Sequence, residues 1–188
     1  MSEKLTDSIT YYDRSDWNAR AWKDFTDQGW DAGEVFIHHT ADTATYIDSF
    51  EDQVKRMQSY QDYHMNVKGW DDIGYHAVVF PEFTTAAGTD VPARIFGGRP
   101  RNHVPAAQEN HNHGTLAVAV VAAGDYHMKR NQRYAVEVYL NHLLKAGAPL
   151  KTLGGHRDVT STSCPGDGIY EDDLPIISNA ADLRWYAS

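Results

Sequence analysis

Short apolar runs and amphipathic stretches alternate along this chain, which predicts alternating strands and helices. The most apolar run, at 116–121, is rich in β-branched residues and predicts a central, fully buried strand. Four shorter runs predict further strands at 35–38, 75–80, 94–96 and 152–156. We therefore expect an α/β fold in which helices flank one mixed central β-sheet.

Two longer stretches repeat their apolar residues at the spacing of a helix. The first, at 46–64, has one face formed by Ile47, Phe50, Val54, Met57 and Tyr60. Its N-cap is predicted at one of three polar residues, Asp42, Thr43 or Thr45. The second stretch, at 131–146, ends before Gly147 and Pro149. A short third helix is expected near 180–186.

The segment 99–114 lacks the apolar periodicity of its neighbours. It has two prolines, three histidines and three asparagines, which predicts a long ordered loop. Loops of this length in compact domains are often functional. We therefore expect this segment to contribute to a functional site.

Composition and charge limit the class of protein. The 188 residues, 41% of them hydrophobic, suffice for one domain with its own core, so we expect a single domain over 1–188. The formal net charge of −9 disfavours a nucleic-acid partner. The start of the chain has no secretory signal, and no run is long enough to span a membrane. We expect synthesis in the cytoplasm and no membrane insertion.

Two histidines stand at predicted strand ends, and a cysteine follows the second. His38 ends the run at 35–38, His156 ends that at 152–156, and Cys164 lies eight residues later, before a Pro-Gly turn. Two imidazoles and a thiolate make three protein ligands for zinc, which prefers four-coordinate sites. An open fourth position is typical of catalytic zinc, which lowers the pKa of a bound water to about 7.

The spacing alone leaves this interpretation open. The chain has ten histidines, so many triples exist, and a strand-end histidine is often only hydrogen-bonded within the fold. Cys164, as the single cysteine, excludes an internal disulfide. It can equally be a buried apolar residue, a thiol nucleophile or a metal ligand.

Six short motifs follow one another between about residue 10 and about residue 170. They are Arg-Ser-Asp-Trp-Asn-Ala at 14–19, Phe-Ile-His-His-Thr-Ala at 36–41, Ile-Gly-Tyr-His at 73–76, Gly-Gly-Arg at 97–99, Gly-Gly-His-Arg at 154–157 and Thr-Ser-Cys-Pro-Gly at 162–166. In this order they resemble the peptidoglycan amidase family, that is, type 2 N-acetylmuramoyl-L-alanine amidases, phage lysozyme-type amidases and peptidoglycan recognition proteins. The motifs span the expected core of the domain.

The resemblance implies a zinc-dependent amidase that cuts the bond between N-acetylmuramic acid and L-alanine in peptidoglycan, with Zn²⁺ in a surface groove. Carried over by position, the zinc ligands are His38, His156 and Cys164. Tyr75 would lie beside the reacting carbonyl, and Thr162 falls where recognition-protein amidases have a threonine. We expect both hydroxyls to donate hydrogen bonds to the oxyanion. The simpler alternatives are a tyrosine at the rim of the site and a turn threonine.

Further side chains are assigned less directly. Neighbouring strand residues face opposite sides, so His39 and His76 are expected to pack away from the ligands. Asp158 is either a hydrogen-bond partner of a ligand imidazole or an ordinary turn residue. The sequence is also compatible with a groove that has aromatic and cationic side chains nearby, namely Trp17, Trp70 and Arg99.

The chain departs from the family pattern at two positions. The family often has Ala-His before its central strand, where this chain has Ala107 and Gln108. Three nearby histidines either line the groove in compensation or, as we expect, are plain surface residues: His103, His111 and His113. A cytosolic recycling branch of the family has an aspartate ligand and a glutamate on the central strand, where this chain has Cys164 and Ala119. The sequence therefore identifies no general base.

These features favour the phage and recognition-protein branch. Animal recognition proteins usually have a disulfide near the metal strand and a signal peptide, so we expect instead a monomeric bacteriophage endolysin that reaches the wall through a separate permeabilising protein. One alternative is a non-catalytic peptidoglycan-binding module. Another is a closed structural zinc site in which His76 or Asp158 is the fourth ligand.

Overall fold

The computed structural model describes residues 1–29, 31–42, 47, 49–85 and 87–186. Ten strands and three α-helices lie in this part of the chain: β1 (Glu3–Lys4), β2 (Thr10–Tyr12), β3 (Glu34–His39), α1 (Phe50–Asp62), β4 (Ala77–Phe80), β5 (Phe83–Thr84), β6 (Asp90–Val91), β7 (Arg94–Gly97), β8 (Thr115–Val120), α2 (Arg130–Lys145), β9 (Thr152–Gly155), α3 (Leu174–Ala180) and β10 (Arg184–Trp185). None of the helices described combines the length and apolar character needed to span a bilayer.

The fold is built on a mixed eight-stranded sheet in the order β1-β2-β7-β4-β8-β3-β9-β10, with helices on its faces. Strands β4, β8, β3, β9 and β10 run parallel to one another, whereas β7 is antiparallel to β4 and β1 is antiparallel to β2. A separate hairpin pairs β5 with β6. The predicted α/β class is confirmed, and so is the central place of β8, which is buried at every position.

The two faces of the sheet have separate cores because side chains alternate along each strand. On one face, Val35 and Ile37 of β3 pack in a cluster with the apolar side chains of α2 and α3. On the other face, Ala119 of β8 and Phe96 of β7 pack against Met57 of α1. Since His38 lies between Ile37 and His39, its side chain belongs to the α1 face. That face is where the functional site lies.

Helix α1 confirms the predicted apolar face but begins later than expected. Its N-cap is Ser49, whose hydroxyl accepts a hydrogen bond from the Asp52 amide at 3.1 Å. The Asp42 carboxylate accepts instead from Arg56 and Tyr60, so that candidate cap was wrong. The other two candidates, Thr43 and Thr45, lie outside the described residues. After α1, the backbone continues in a π-helical turn, Tyr63–Val67.

The helix expected near 180–186 was wrong in its position. A π-helical segment, Gly168–Asp173, leads directly into α3, which ends at Ala180. Asp182 has a φ of 52°, a left-handed conformation that no helix interior accepts. The chain then extends, and β10 pairs with β9 at the edge of the sheet.

Candidate metal centre

Neighbouring parallel strands bring the two predicted histidine ligands together. Ile37 of β3 pairs with Gly155, the last residue of β9, so His38 of β3 lies beside His156, which begins the 3-10 turn directly after β9. Their ring centroids are 4.5 Å apart. The register of the sheet therefore positions the pair.

Cys164 returns to these histidines because the loop after β9 folds back on itself. The Arg157 amide donates to the Cys164 carbonyl at 3.0 Å, and the Arg157 guanidinium donates to the Ser163 carbonyl at 2.6 Å. The His39 amide donates to the Cys164 sulfur at 3.3 Å. These contacts hold the thiol under the end of β3.

The metal-ligating atoms of His38, His156 and Cys164 all lie within 4.8 Å of one another. Burial and the neighbouring His156 hold the pKa of His38 well below its ordinary value, and burial lowers the pKa of His156. Both imidazoles are therefore neutral at pH 7, as metal ligands must be. Burial raises the pKa of the Cys164 thiol to about 11. A thiol with that pKa is a poor nucleophile by itself, whereas a metal cation displaces its proton.

The three residues fit a zinc ion. Two nitrogens and one sulfur are a donor set that zinc prefers, and tetrahedral coordination spaces such atoms at roughly 3.3–3.8 Å. Nε2 of His156 is buried and has no hydrogen-bond partner among the described residues, which a metal would supply. The group has no fourth protein ligand in the described part of the chain. This arrangement is typical of a catalytic rather than a closed structural site.

Tyr75 lies beside the same site, at the entrance to β4. Its ring centroid is 5.5 Å from that of His38. The Arg99 amide donates to the Tyr75 carbonyl at 2.8 Å, and Gly98 packs so closely that a Cβ there would lie 2.1 Å from that oxygen. The Gly-Gly-Arg motif thus fixes the backbone of the tyrosine. Burial raises the pKa of the Tyr75 hydroxyl, with a contribution from Cys164, so it stays a protonated donor.

Thr162 and Asp158 stabilise the segment after β9 that includes Cys164. The exposed Thr162 hydroxyl accepts a hydrogen bond from the Cys164 amide at 3.2 Å. Asp158 accepts from the Gly155 amide at 2.8 Å and from the Tyr170 hydroxyl. These two contacts hold the end of β9. The hydrogen bonds that the structure describes for Asp158 do not include the alternative that the sequence suggested, a bond to a ligand imidazole. The catalytic role expected for Thr162 stays a prediction.

A groove of about 510 Å³ opens beside the candidate metal centre. His156 forms part of its wall, and Trp70 forms another part. Four more lining residues belong to the long loop 99–114, namely Ala106, Ala107, Glu109 and Asn112. The other two are Lys68 and Thr160. The prediction that this loop contributes to a site is consistent with this arrangement.

Several side chains expected in or near the groove are instead buried in the fold. Trp17 is fully buried and donates from its indole to the Gly97 carbonyl at 2.8 Å. Arg99 is buried and donates to the carbonyls of Ile73 and Val104. The expectation that His103 is a surface residue was also wrong, since it is 1% exposed. Trp17 and Arg99, although both belong to the family motifs, therefore make contacts within the fold. A guanidinium can donate to loop carbonyls as readily as to a ligand.

The remaining histidines of that loop differ from one another. His111 lies 3.1 Å from the Glu34 carboxylate, and His113 is exposed.

The two histidines outside this loop that were expected to pack away from the ligands are His39 and His76. His39 is half-buried. His76 is buried: its Nδ1 accepts from the Ala117 amide, and its Nε2 lies 2.8 Å from the His103 carbonyl. Both ring nitrogens of His76 are therefore engaged, so it cannot be a fourth zinc ligand.

Sequence reasoning missed two residues at the site. His64, in the π-helical turn, stacks on Trp70 with centroids 4.7 Å apart and accepts from the Gly74 amide at 3.1 Å. Gln108, named only as a departure from the family, lies 3.1 Å from His38 Nε2. The helical spacing of His64 after Met57 and Tyr60 was a usable signal. Nothing in the sequence indicated the Gln108 contact.

We expect the fold to lose stability in acid because of His64 and His76. Burial, the largest cause for each, together with the nearby Arg99 lowers the pKa of both to about 4. Between pH 6.5 and about 4 the unfolded chain therefore binds more protons than the folded one, so stability falls as pH falls. For His76 the loss is about 3 kcal/mol.

The measurement is the free energy of unfolding in urea across this pH range. His76→Gln keeps a polar side chain but removes one titrating group, so its pH dependence should be shallower by up to one proton. An identical slope in the variant and the parent protein would show that His76 protonates alike in both states.

No family model matches the chain. The chain is 32% identical over 144 residues to a pig N-acetylmuramoyl-L-alanine amidase, covering 73% of this chain and 22% of that protein. It is 30% identical to Drosophila melanogaster peptidoglycan-recognition protein LB, covering 85% of this chain and 65% of that protein. The chain thus spans about a fifth of the amidase and about two thirds of the recognition protein.

The solved structures include a relative with a bound ligand. A mutant of Drosophila PGRP-LB in complex with tracheal cytotoxin superimposes with a TM-score of 0.71 and 26% identity, covering 89% of this chain and 92% of that one. The family resemblance and the expected fold are both confirmed by these matches.

Proposed function

Because this chain belongs to the family of N-acetylmuramoyl-L-alanine amidases and peptidoglycan recognition proteins, we propose that it hydrolyses the amide between the lactyl group of N-acetylmuramic acid and L-alanine. The observation that carries the proposal is the cluster of His38, His156 and Cys164, of which His156 forms part of the wall of a groove. A module that only binds peptidoglycan has no need for three converging metal-ligating atoms.

A zinc ion held by these three residues would supply a Lewis acid that polarises the amide carbonyl and acidifies water. The chain itself contributes the hydrogen-bonding groups. The Tyr75 hydroxyl, kept protonated by its raised pKa, donates to the oxygen on which negative charge develops. Thr162 is a second candidate donor, since its oxygen only accepts in the contact with Cys164.

The groove positions the substrate beside these groups. Trp70 offers an aromatic face for the sugar or peptide, and it is held from behind by His64. Lys68 and Glu109 add one charge of each sign to the wall. A mutant of the related PGRP-LB is solved with tracheal cytotoxin, which is monomeric diaminopimelic acid-type peptidoglycan. We propose peptidoglycan as the partner of this groove.

The biological role that we propose is that of a monomeric phage endolysin, made in the host cytoplasm and acting on the cell wall after release. Two features support this role. Cys164 stands at the position of the third proposed metal ligand, and as the single cysteine it cannot form an internal disulfide. The role is separate from the chemistry, and expression in bacteria with and without a permeabilising protein tests it. Lysis only with both proteins is the expected result.

The experiment that tests the reaction is digestion of purified cell walls by zinc-loaded and chelated protein. We expect the turbidity to fall and new amino groups to appear, without new reducing ends, only in the presence of metal. Binding of the walls without new amino groups would identify a recognition module instead.

A further inference from the structure

Gln108 is fully buried in the loop 99–114, where its side chain reaches the candidate metal centre. Its Oε1 lies 3.1 Å from Nε2 of His38. Its backbone amide donates to the Asn112 side chain at 3.0 Å, which fixes the loop around it. The reaction derived above gives this residue no role, and its position is one where the family often has a different side chain.

The surrounding hydrogen bonds determine which way the Gln108 amide faces. The Thr115 hydroxyl donates to the Asn112 carbonyl at 2.7 Å, so its oxygen is left to accept. The Gln108 NH₂ group donates to that oxygen at 2.7 Å. The amide oxygen of Gln108 must then face His38, and it can only accept.

An acceptor at Nε2 determines the tautomer of His38. Because the Gln108 oxygen has no proton to give, Nε2 of His38 is the protonated nitrogen and donates the hydrogen bond. Nδ1 therefore has the free lone pair, and a lone pair is what a metal requires.

We propose that Gln108 is a positioning residue that holds His38 as the Nε2–H tautomer and so presents Nδ1 to the metal. The role rests on the zinc site of the proposed function. Ligating histidines usually donate their other N–H to a carboxylate, a carbonyl or water, and loss of such a partner typically weakens metal binding about 10–100-fold. Here a side-chain amide on the long loop supplies the acceptor, and the Thr115 hydroxyl orients that amide.

The direct test is long-range ¹H–¹⁵N NMR of the metal-free protein, which distinguishes the two imidazole tautomers. We expect wild-type His38 to be protonated at Nε2. In Gln108→Met, which keeps the length of the side chain but has no acceptor, we expect a mixture of both tautomers. In Gln108→Glu, which keeps an acceptor, the Nε2–H form should be retained.

Zinc affinity, measured by competition with a chromophoric chelator, provides the second readout. We expect a loss of about 10–100-fold in Gln108→Met and substantial rescue in Gln108→Glu. Thermal unfolding of each metal-free variant shows whether the fold is retained. If the glutamate variant fails to fold, the wild-type tautomer and the methionine variant still decide the matter.

Wild-type His38 protonated at Nδ1 would overturn the proposal, and so would wild-type zinc affinity in a folded Gln108→Met variant. The tautomer is measured without metal or substrate, so it does not depend on amidase activity. A chain that binds zinc as described but cuts no peptidoglycan would contradict the proposed function and leave the role of Gln108 intact.

Discussion

Replacement of Cys164 by serine is expected to abolish both zinc binding and amide hydrolysis. The thiolate is one of the three proposed zinc ligands, and a serine hydroxyl does not ionise to replace it at neutral pH. A catalytic metal contributes several kcal/mol of transition-state stabilisation. The rate on peptidoglycan should therefore fall by at least about 10³-fold.

The measurements are metal content after dialysis and the rate of amine release from cell walls. Cobalt substitution adds a direct signature, because a Co²⁺–thiolate charge-transfer band should be present in the parent protein and absent in Cys164→Ser. Ser163→Ala, at the exposed neighbouring position, is the matched control and should behave like the parent protein.

The same variant separates ligation from the rival role of Cys164 as a nucleophile. A nucleophilic thiol would leave the metal-free parent protein active and would be blocked by thiol reagents. The burial that raises the pKa of this thiol to about 11 disfavours that chemistry. Full activity of Cys164→Ser would contradict both roles.

Replacement of Tyr75 by phenylalanine is expected to lower kcat by about 10²–10³-fold, the usual cost of losing one oxyanion donor. The phenyl ring keeps the packing of Tyr75 beside His38 and His64, whose centroids both lie 5.5 Å away. Zinc affinity and KM should therefore stay within about threefold of the parent values, because the lost hydrogen bond matters chiefly in the transition state.

Steady-state kinetics on a soluble muropeptide, with metal content measured in parallel, check this prediction. Tyr63→Phe is the matched control, since Tyr63 is about half exposed on the π-helical turn after α1. An unchanged kcat in Tyr75→Phe would show that its hydroxyl is only a satisfied group at the rim. A large rise in KM alone would indicate a role in binding.

The sheet and the residues that form the three-residue cluster could be predicted because each depends on a strong local pattern. The apolar run that forms β8 is buried at every position, and His38 and His156 lie close to the predicted ends of β3 and β9, within one residue of the observed ends. The register between β3 and β9 then places the two separately predicted histidines beside each other. The sequence does not encode that register in any short motif, which is why spacing alone left the triple open.

The parts that could not be predicted depend on long-range polar contacts. Asp42 was a predicted N-cap of α1, but its carboxylate binds Arg56 and Tyr60 of that helix, and Ser49 is the cap. Gln108 reaches His38 across 70 positions of sequence. Trp17 and Arg99 have residue types typical of a groove, yet they satisfy backbone carbonyls inside the fold. Residue type shows what a side chain can bond, whereas the tertiary fold determines its partner.

Mass spectrometry of one defined muropeptide, a disaccharide with its stem peptide, tests the central claim most directly. Incubation with the zinc-loaded protein should yield the intact disaccharide with a free lactyl carboxylate and a peptide that begins with a free L-alanine amine. The chelated protein should leave the substrate whole, and added zinc should restore cleavage. Cleavage at any other bond, or the same products from the metal-free protein, would contradict a zinc amidase built on His38, His156 and Cys164.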